Sequence, residues 1–347
     1  MKKVLIILLS LVIFWGCDNK ESEKPETGKD SDFTFDSTDL QLAPVSDDAF
    51  QNVILQYSLK KGNTYKFRLT TITDESQTIQ ADTTISQKVS QTIVYLIHLE
   101  VKDLDEEKVM EINAEVKSIK LDAVSNNEKF SYVSGAKMDS LELMQFVEYE
   151  ALRNNPFTIR INPEGDIVEI FKADKIANKY LEMRGMKDSI SVEEKKMFQQ
   201  DIINAALKPL LAQVFRKLPK TEVGKDSSWT FKMPAADLQV FKLDNTHTYK
   251  LTNFEKLKDD NIAVIEAGLI SQFIINPEAK KNNIDVKKPK YTASGKIFFN
   301  LSKGLIQKSK TTTSMDVEIS MPVPTQKGMQ KVTRKQYSVN NNILELL

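Results

Sequence analysis

The sequence predicts an α+β fold, made mostly of antiparallel β-sheet that curves and carries helices on one side. Segments of alternating apolar and polar residues recur along the chain, which is the pattern of half-buried strands. Helical spacing of apolar residues is concentrated in one central stretch. The strand patterns before and after that stretch resemble each other, which predicts an internal duplication.

The chain starts with the features of a secretory signal peptide. Two lysines follow the first methionine, and the apolar run from Val4 to Trp15 is broken only by Ser10. A positive start, a short apolar core and a small residue before the cut define such a signal, whereas a membrane-spanning helix needs about 20 apolar residues. We therefore assign residues 1–16 to a signal peptide that is cut between Gly16 and Cys17.

Cys17 is the one cysteine in the chain. Its place directly behind the apolar run resembles the lipobox of bacterial lipoproteins, in the relaxed form of Bacteroidetes-type bacteria, because Phe14 and Trp15 stand where leucine and a small residue are commoner. The resemblance implies that a diacylglycerol and an acyl chain such as palmitate are attached at Cys17. It implies a lipid-anchored protein of the bacterial cell envelope, in the outer membrane, and leaves open which side the domain faces.

Residues 17–48 are predicted to be the lipidated cysteine and a disordered acidic tether. The stretch after Cys17 is rich in Ser, Asp, Glu and Lys and has few apolar residues before Phe33. Such a composition buries too little apolar surface to offset the entropy lost on ordering. We expect a flexible link between the membrane and the folded domain.

The first β-rich half is predicted to cover residues 49–171. Its alternating apolar patterns and polar turns predict strands at 63–73, 89–104 and 108–121, a helix at 139–154 and a hairpin at 157–171. The last hairpin turns at Gly165, since a tight turn often needs a positive φ.

Residues 172–219 are predicted to be a helical connector. A short helix at 172–185 should end at Gly185. A longer one at 191–219 begins with Ser191 and Glu194, which form the pattern of a capping box. Pro209 should kink this helix near its middle.

The second β-rich half is predicted to cover residues 220–347. Its patterns predict a hairpin at 247–275, a glycine turn at Gly304 and a closing hairpin whose last strand, 331–340, carries the lysines and arginine typical of an exposed edge. Aligning the two halves places Val101 on Phe254, which is the basis of the predicted duplication. Whether the halves form one continuous sheet or two domains stays open.

Several segments together resemble a family of uncharacterised Bacteroidetes-type lipoproteins. They are YSLKKGNTYKFRLTTITDESQTIQ, EVKDLDEEKVMEINAEVKSIKLD, NPEGDIVEI, LPKTEVGKDSSWTF and YTASGKIFFNLSKGLIQKSKTT. The resemblance runs from about Leu55 to Tyr337 and rests on turn glycines and strand aromatics, so it carries no catalytic residue to this chain. The predicted sheet with helices on one side is also similar to the half-barrel of outer-membrane lipoprotein carriers.

The composition argues against several classes of function. The 48 basic and 48 acidic residues balance, and no segment has the concentrated basic face of a nucleic-acid-binding protein. The two histidines, His98 and His247, lie far apart in strand patterns, so no metal site is expected. No nucleophile elbow, zinc-protease motif or P-loop is present. We expect no cofactor and no enzymatic activity, with a hydrolase as the remote alternative.

Two binding functions remain as hypotheses. In the first, the sheet encloses a pocket for a lipid or another hydrophobic ligand, or else the same aromatic residues are ordinary core. The candidate lining residues are Phe67, Tyr95, Phe254, Phe273, Phe298 and Phe299. In the second, exposed strand edges bind another protein of the cell envelope.

Overall fold

The computed structural model describes residues 30–45, 52–238, 240–325 and 328–347. The predicted signal peptide and Cys17 lie outside the described residues. The main feature is one antiparallel sheet of 14 strands. In chain order the strands are β1 (Ala43–Pro44), β2 (Thr64–Gln80), β3 (Thr84–Leu104), β4 (Met110–Ser125), β5 (Glu128–Val133), β6 (Phe157–Ile161), β7 (Ile167–Phe171), β8 (Ser228–Lys232), β9 (Ala236–Asp237), β10 (Phe241–Leu257), β11 (Asp260–Ile275), β12 (Asp285–Asn300), β13 (Leu305–Thr325) and β14 (Gly328–Leu346).

The sheet is continuous and open. Its strands follow the order β1-β10-β11-β12-β13-β14-β2-β3-β4-β6-β7, and the two ends of this path do not pair. The two β-rich halves therefore share one sheet. The closing strand, predicted as an exposed edge, is β14, which pairs with β13 on one side and with β2 on the other. That expectation was wrong, since the last strand lies inside the sheet and joins the halves.

The helices are short. They are α1 (Ser140–Gln145), α2 (Val147–Leu152), α3 (Asp174–Met183), α4 (Val192–Ile202), α5 (Lys208–Val214) and α6 (Pro277–Lys281). The predicted capping box is present, because the Ser191 side chain accepts from the Glu194 backbone and the Glu194 side chain accepts from the Ser191 backbone. Near the predicted kink the helix is irregular: a π-helical turn, Ile203–Leu207, lies between α4 and α5, and Pro209 stands in the first turn of α5. Proline lacks the N–H that would continue the α-helical ladder.

The helices cover one part of one sheet face, which we call the inner face. Leu207 and Leu211 from the helical segment and Phe157 and Phe299 from strands are fully buried in one large core. Burying a side chain of this size stabilises the fold by about 1.5–3 kcal/mol. The long strands reach beyond this core at one end, so the helices cover only part of their length.

Residues 33–44 form a strap across the opposite, outer face, which we call the outer strap. Phe33 packs against Val94 on β3, and Ala43 at the other end pairs with Lys256 on β10. Seven strand spacings separate β3 from β1, about 34 Å at about 4.8 Å each, and the ten residue steps from Phe33 to Ala43 reach about 35 Å when extended. The prediction of a disordered tether for residues 17–48 is therefore corrected within 33–44, which crosses the sheet in a nearly extended form.

Charged groups hold the outer strap to the sheet. The Nζ of Lys308, whose side chain is only 4% exposed, lies 3.0 Å from Asp36 and 3.9 Å from Glu345. Glu345 also pairs with Arg68 at 2.9 Å, and Lys296 pairs with Asp39 at 2.8 Å. A buried charge is stable only with such partners, so Asp36 completes a cluster that β13 and β14 begin.

Candidate functional site

The six aromatic residues predicted to line a pocket do not line one cavity. Phe67, Phe254 and Phe299 are buried in the large core, and Tyr95 packs against it. Phe273 lies on the far part of the inner face, 5.8 Å from Phe241 between ring centres. Phe298 faces the outer side in a separate cluster. That cluster also contains Leu40 and Leu42 of the outer strap.

A row of paired residues marks where the core ends on the inner face. Paired residues in neighbouring strands share a face. The row runs Trp229, Tyr249, Ala267, Gly295, Thr311, Asn342 and Thr71 from β8 to β2. On one side lies the helix-covered core, and on the other the inward side chains are mostly only partly buried.

We call the inner face beyond this row the open inner face. Its β10–β13 part presents the apolar side chains of Leu269, Phe273, Tyr291 and Met315, all partly exposed. Polar side chains stand among them, and Ser271 donates to Asn245 Oδ1 at 2.7 Å. The cluster of Phe241, Val286 and Val317 at its far end contains only strand and loop residues. Helices α1 to α5 contribute no residue to this cluster, and the short helix α6 lies in the chain between its members Ile275 and Ile284.

The β14–β2–β3 part of the open inner face is polar. Thr73 Oγ1 donates to Asn340 Oδ1 at 2.8 Å, and Gln336 Nε2 donates to Glu75 Oε1 at 2.7 Å. Apolar and hydrogen-bonding surfaces therefore adjoin on one face. Such a surface suits an amphipathic ligand better than a purely apolar one.

Arg216 brings a positive charge to the boundary row. Its backbone is fixed by Tyr57, whose hydroxyl accepts from Arg216 N at 2.7 Å and donates to Arg216 O at 3.1 Å. The guanidinium donates to Gln213 Oε1 and to Thr311 Oγ1, the latter at 3.3 Å. Its Nε is buried without a hydrogen-bond partner, although the side chain as a whole is partly exposed. Burial lowers the pKa of this guanidinium, although an arginine stays charged at neutral pH.

Aromatic rings continue the row beside Arg216. Trp229 stacks on Tyr249 with 5.7 Å between ring centres, and His247 meets the edge of Tyr249 at 6.4 Å. The Trp229 Nε1–H is buried without a partner in the described part of the chain. Burial, and then the nearby Arg216 charge, hold the pKa of His247 below its ordinary value.

The pKa of His247 predicts a pH dependence of stability. Because the folded protein binds this proton less readily than the unfolded chain, stability is complete above the unfolded pKa of about 6.5 and falls as the pH falls below it. The pKa of His98 is also lowered, chiefly by burial. We expect the urea midpoint to be lower at pH 5.5 than at pH 7.5. His247→Gln should reduce this difference, and adding His98→Gln should remove most of the rest. An unchanged pH dependence in His247→Gln would show that this ring is solvated.

The chain matches a family defined by sequence. The family described as "Family of unknown function (DUF6263)" matches residues 107–306. The chain belongs to this family. The matched range includes the helices that cover the core, Arg216, Trp229 and strands β10–β12. No curated protein matches the chain.

Three solved structures are remotely similar to this chain. Lipovitellin, in a structure described by its lipid–protein interactions, is 12% identical with a TM-score of 0.38, over 84% of this chain and 25% of that one. The chain thus spans about a quarter of the lipovitellin chain. An outer membrane channel from Pseudomonas putida F1 is 7% identical with a TM-score of 0.21, over 84% of this chain and 97% of that one. The outer membrane protein OprG from Pseudomonas aeruginosa is 9% identical with a TM-score of 0.18, over 84% and 98% of the two chains. TM-scores this low support no conclusion about the function of this chain.

Other types of site are not formed in the described part of the chain. No group of three or more His, Cys, Asp or Glu residues there could hold a metal ion. Within the same ranges no helix combines the length and the apolar character needed to cross a membrane. An open cleft of about 390 Å³ lies on the outer face between Asp39 and Lys310, but Lys296 in its wall is already paired with Asp39.

Sequence reasoning missed Arg216 and the outer strap. The strap had a local signal, since Phe33, Phe35, Leu40 and Leu42 alternate with polar residues in two short runs. Arg216 had none, because its surroundings come from Tyr57, Tyr249 and Thr311, which are distant in the sequence.

Proposed function

We propose that this protein is a lipid-anchored cell-envelope protein that binds a lipid-like ligand on the open inner face. The observation that carries the proposal is that β10–β13 extend beyond the helix-covered core and present partly exposed apolar side chains there. A sheet face of this kind normally packs against another layer. Binding is the function that this arrangement supports, and we propose no enzymatic step.

The energetics favour an amphipathic ligand. Each apolar side chain fully removed from water contributes about 1.5–3 kcal/mol, so covering Leu269, Phe273 and Met315 would support binding. The adjoining Asn340, Thr73 and Glu75 keep their hydrogen-bonding groups at the edge of this surface. A ligand with one apolar and one polar part would satisfy both.

The proposed anchor rests on Cys17, which lies outside the described residues. Thirteen residue steps separate Cys17 from Asp30, so even a fully extended link of this length reaches only about 45 Å. An acylated Cys17 would therefore keep the domain close to the bilayer. We propose the outer membrane of a bacterium as the location, on either side of it.

Charge placed on the open inner face should abolish ligand binding. Leu269→Asp puts a carboxylate on the inner face, and we expect affinity for the apolar fluorophore N-phenyl-1-naphthylamine to fall by about tenfold or more, since burying that charge costs several kcal/mol. Ile270→Asp is the matched control, because it is adjacent on β11 but exposed on the outer face. Fluorescence titration of the purified protein measures both, with a thermal melt of each variant. Equal binding by the two variants would refute the proposed site.

A protein-interaction function is the alternative. Strand β7 ends the sheet path, pairs only with β6, and exposes Val168. An unpaired edge can accept a strand from another protein. Val168→Pro would block added pairing at this edge, and loss of an envelope partner from affinity purification with this variant would favour the alternative.

We also propose that the two halves arose by duplication. The path β2-β3-β4-β6-β7 in the first half has the same order as β8-β10-β11-β12-β13 in the second. The glycine turns after β6 and β12 both receive hydrogen bonds from one segment, through Tyr57 N to Pro163 O and Ser58 N to Gly304 O. Alignment of other family members, half against half, should place Gly165 opposite Gly304. A consistent offset between them would count against duplication.

A further inference from the structure

We propose that Arg216 and Trp229 hold the anionic headgroup of an amphipathic ligand, a carboxylate or a phosphate, at the boundary row. The inference rests on the proposed function, because the apolar part of this ligand would occupy the open inner face. It adds the chemical class of the ligand and its orientation.

The first argument is an uncompensated charge. Among the described residues, no carboxylate forms an ion pair with Arg216, and its guanidinium bonds only to the neutral groups of Gln213 and Thr311. The Tyr57 hydroxyl contacts the Arg216 backbone and not its charge. An unpaired buried cation is costly unless an anion joins it. The guanidinium still has donors to offer, since Nε is buried without a partner.

The second argument is a second donor without a partner among the residues of this row. Trp229 Nε1 is buried and has no acceptor in the described residues. Trp229 stacks on Tyr249 with 5.7 Å between ring centres, and Tyr249 lies in the same row as Thr311, which accepts from Arg216. Buried N–H groups are nearly always hydrogen-bonded. The Trp229 N–H is thus a second donor in this row for which a ligand headgroup would supply an acceptor.

The third argument is the shape of the row. Ala267 and Gly295 occupy the two strands between Tyr249 and Thr311, so this part of the row carries almost no side chain. Bulky residues stand on either side. Arg216 reaches this part of the row at Thr311, where the neighbouring strands present little side chain, although Thr311 itself fills the space at Gly295.

The fourth argument is the apolar path that leads away from the row. From Ala267 to Phe273 along β11 is six residues, about 20 Å. Leu269 lies along this path, Ser271 interrupts it with a hydrogen bond to Asn245, and Phe273 belongs to the cluster at its end. One leaflet of a bilayer holds an acyl chain in about 15 Å, half of the hydrocarbon core. A headgroup at Arg216 would thus let one acyl chain lie along the apolar strands.

The test compares ligands that differ only in the headgroup. Purified, delipidated protein at pH 8 is titrated with dodecanoate, dodecyl phosphate, dodecanol and inorganic phosphate, each displacing N-phenyl-1-naphthylamine. We expect one or both of the anionic amphiphiles to bind at least about tenfold more tightly than dodecanol, as charge-assisted hydrogen bonds allow. The stronger of the two identifies a carboxylate or a phosphate headgroup.

The variants separate this inference from the proposed function. Arg216→Gln should remove the preference for anions and leave dodecanol binding within about twofold, whereas Lys220→Gln, which removes an exposed charge from the same loop, should keep the preference. Equal affinity for dodecanoate, dodecyl phosphate and dodecanol in the unmodified protein, or a preference that survives Arg216→Gln, would overturn the inference while the inner-face site stands. Displacement of N-phenyl-1-naphthylamine by inorganic phosphate, which has no apolar part, would also overturn it, because the ligand would then not be an amphiphile. Failure of every amphiphile to bind would overturn the proposed function itself.

Discussion

Gly165→Ala is expected to lower the free energy of unfolding by about 3 kcal/mol or more. Gly165 has a φ of +85°, and a Cβ there would lie 2.5 Å from the carbonyl oxygen of Arg216 and 2.6 Å from Cε2 of Tyr57. Neither group can move freely, because Tyr57 is buried and is hydrogen-bonded to the Arg216 backbone. Urea unfolding followed by circular dichroism measures the effect.

Gly62→Ala is the matched control for this prediction. Gly62 has nearly the same φ, +82°, but a Cβ there would meet nothing within 4 Å. It should therefore cost only the backbone strain, about 1 kcal/mol. The difference between the two losses of unfolding free energy measures the effect of the close approach of the β6–β7 turn to Tyr57 and Arg216. Equal losses of stability would mean that this approach does not constrain the fold. The surviving folded Gly165→Ala protein should also bind anionic amphiphiles less tightly, since it shifts the Arg216 backbone.

Cys17→Ser is expected to move the protein from the membrane fraction to the soluble fraction. Serine provides no thiol for a diacylglycerol, and each buried methylene of an acyl chain contributes about 0.8 kcal/mol to membrane binding. The apolar run up to Trp15 is too short to replace the anchor, because a spanning helix needs about 20 residues. Cell fractionation gives the distribution, and intact-mass spectrometry of the wild type should show the added acyl groups.

Asn19→Ser is the control for the anchor, because it introduces the same residue two positions later and keeps the thiol. It should remain with the membrane. If Cys17→Ser also remained there and the wild type carried no acyl mass, the proposed anchor would be wrong. This result would leave the inner-face site untouched, since no residue of that site lies near the N-terminus.

Features that depend on local chemistry were predictable from the sequence. The start of α4 follows from Ser191 and Glu194, which satisfy each other's backbone donors within one turn. The glycine turns followed from the need for positive φ, and Gly165 and Gly304 have values of +85° and +64°. The irregularity of the helix near Pro209 follows from a missing N–H.

Features that depend on contacts between distant residues were not predictable. Phe298 and Phe299 are both buried, yet they lie on opposite faces of β12, because helices and the core cover one face and the outer strap covers the other. The polar composition of residues 18–32 predicts disorder, and this prediction extended wrongly over the strap that follows. The position of β14 between β13 and β2 depends on pairing across more than 250 residues, which no local pattern encodes.

The sequence alone determined that this chain is an antiparallel β protein with a central helical segment and glycine turns, and it predicts lipidation at its one cysteine. Those features arise from side-chain alternation, capping and backbone freedom, which act over a few residues. Only the tertiary structure decided that the halves share one sheet, that a strap crosses its outer face, and that Arg216 reaches Thr311 with no acidic partner among the described residues. The burial and charge compensation of a side chain depend on every segment that packs around it. At the boundary row these segments contain residues 57, 216, 229, 249 and 311, which are distant in the sequence.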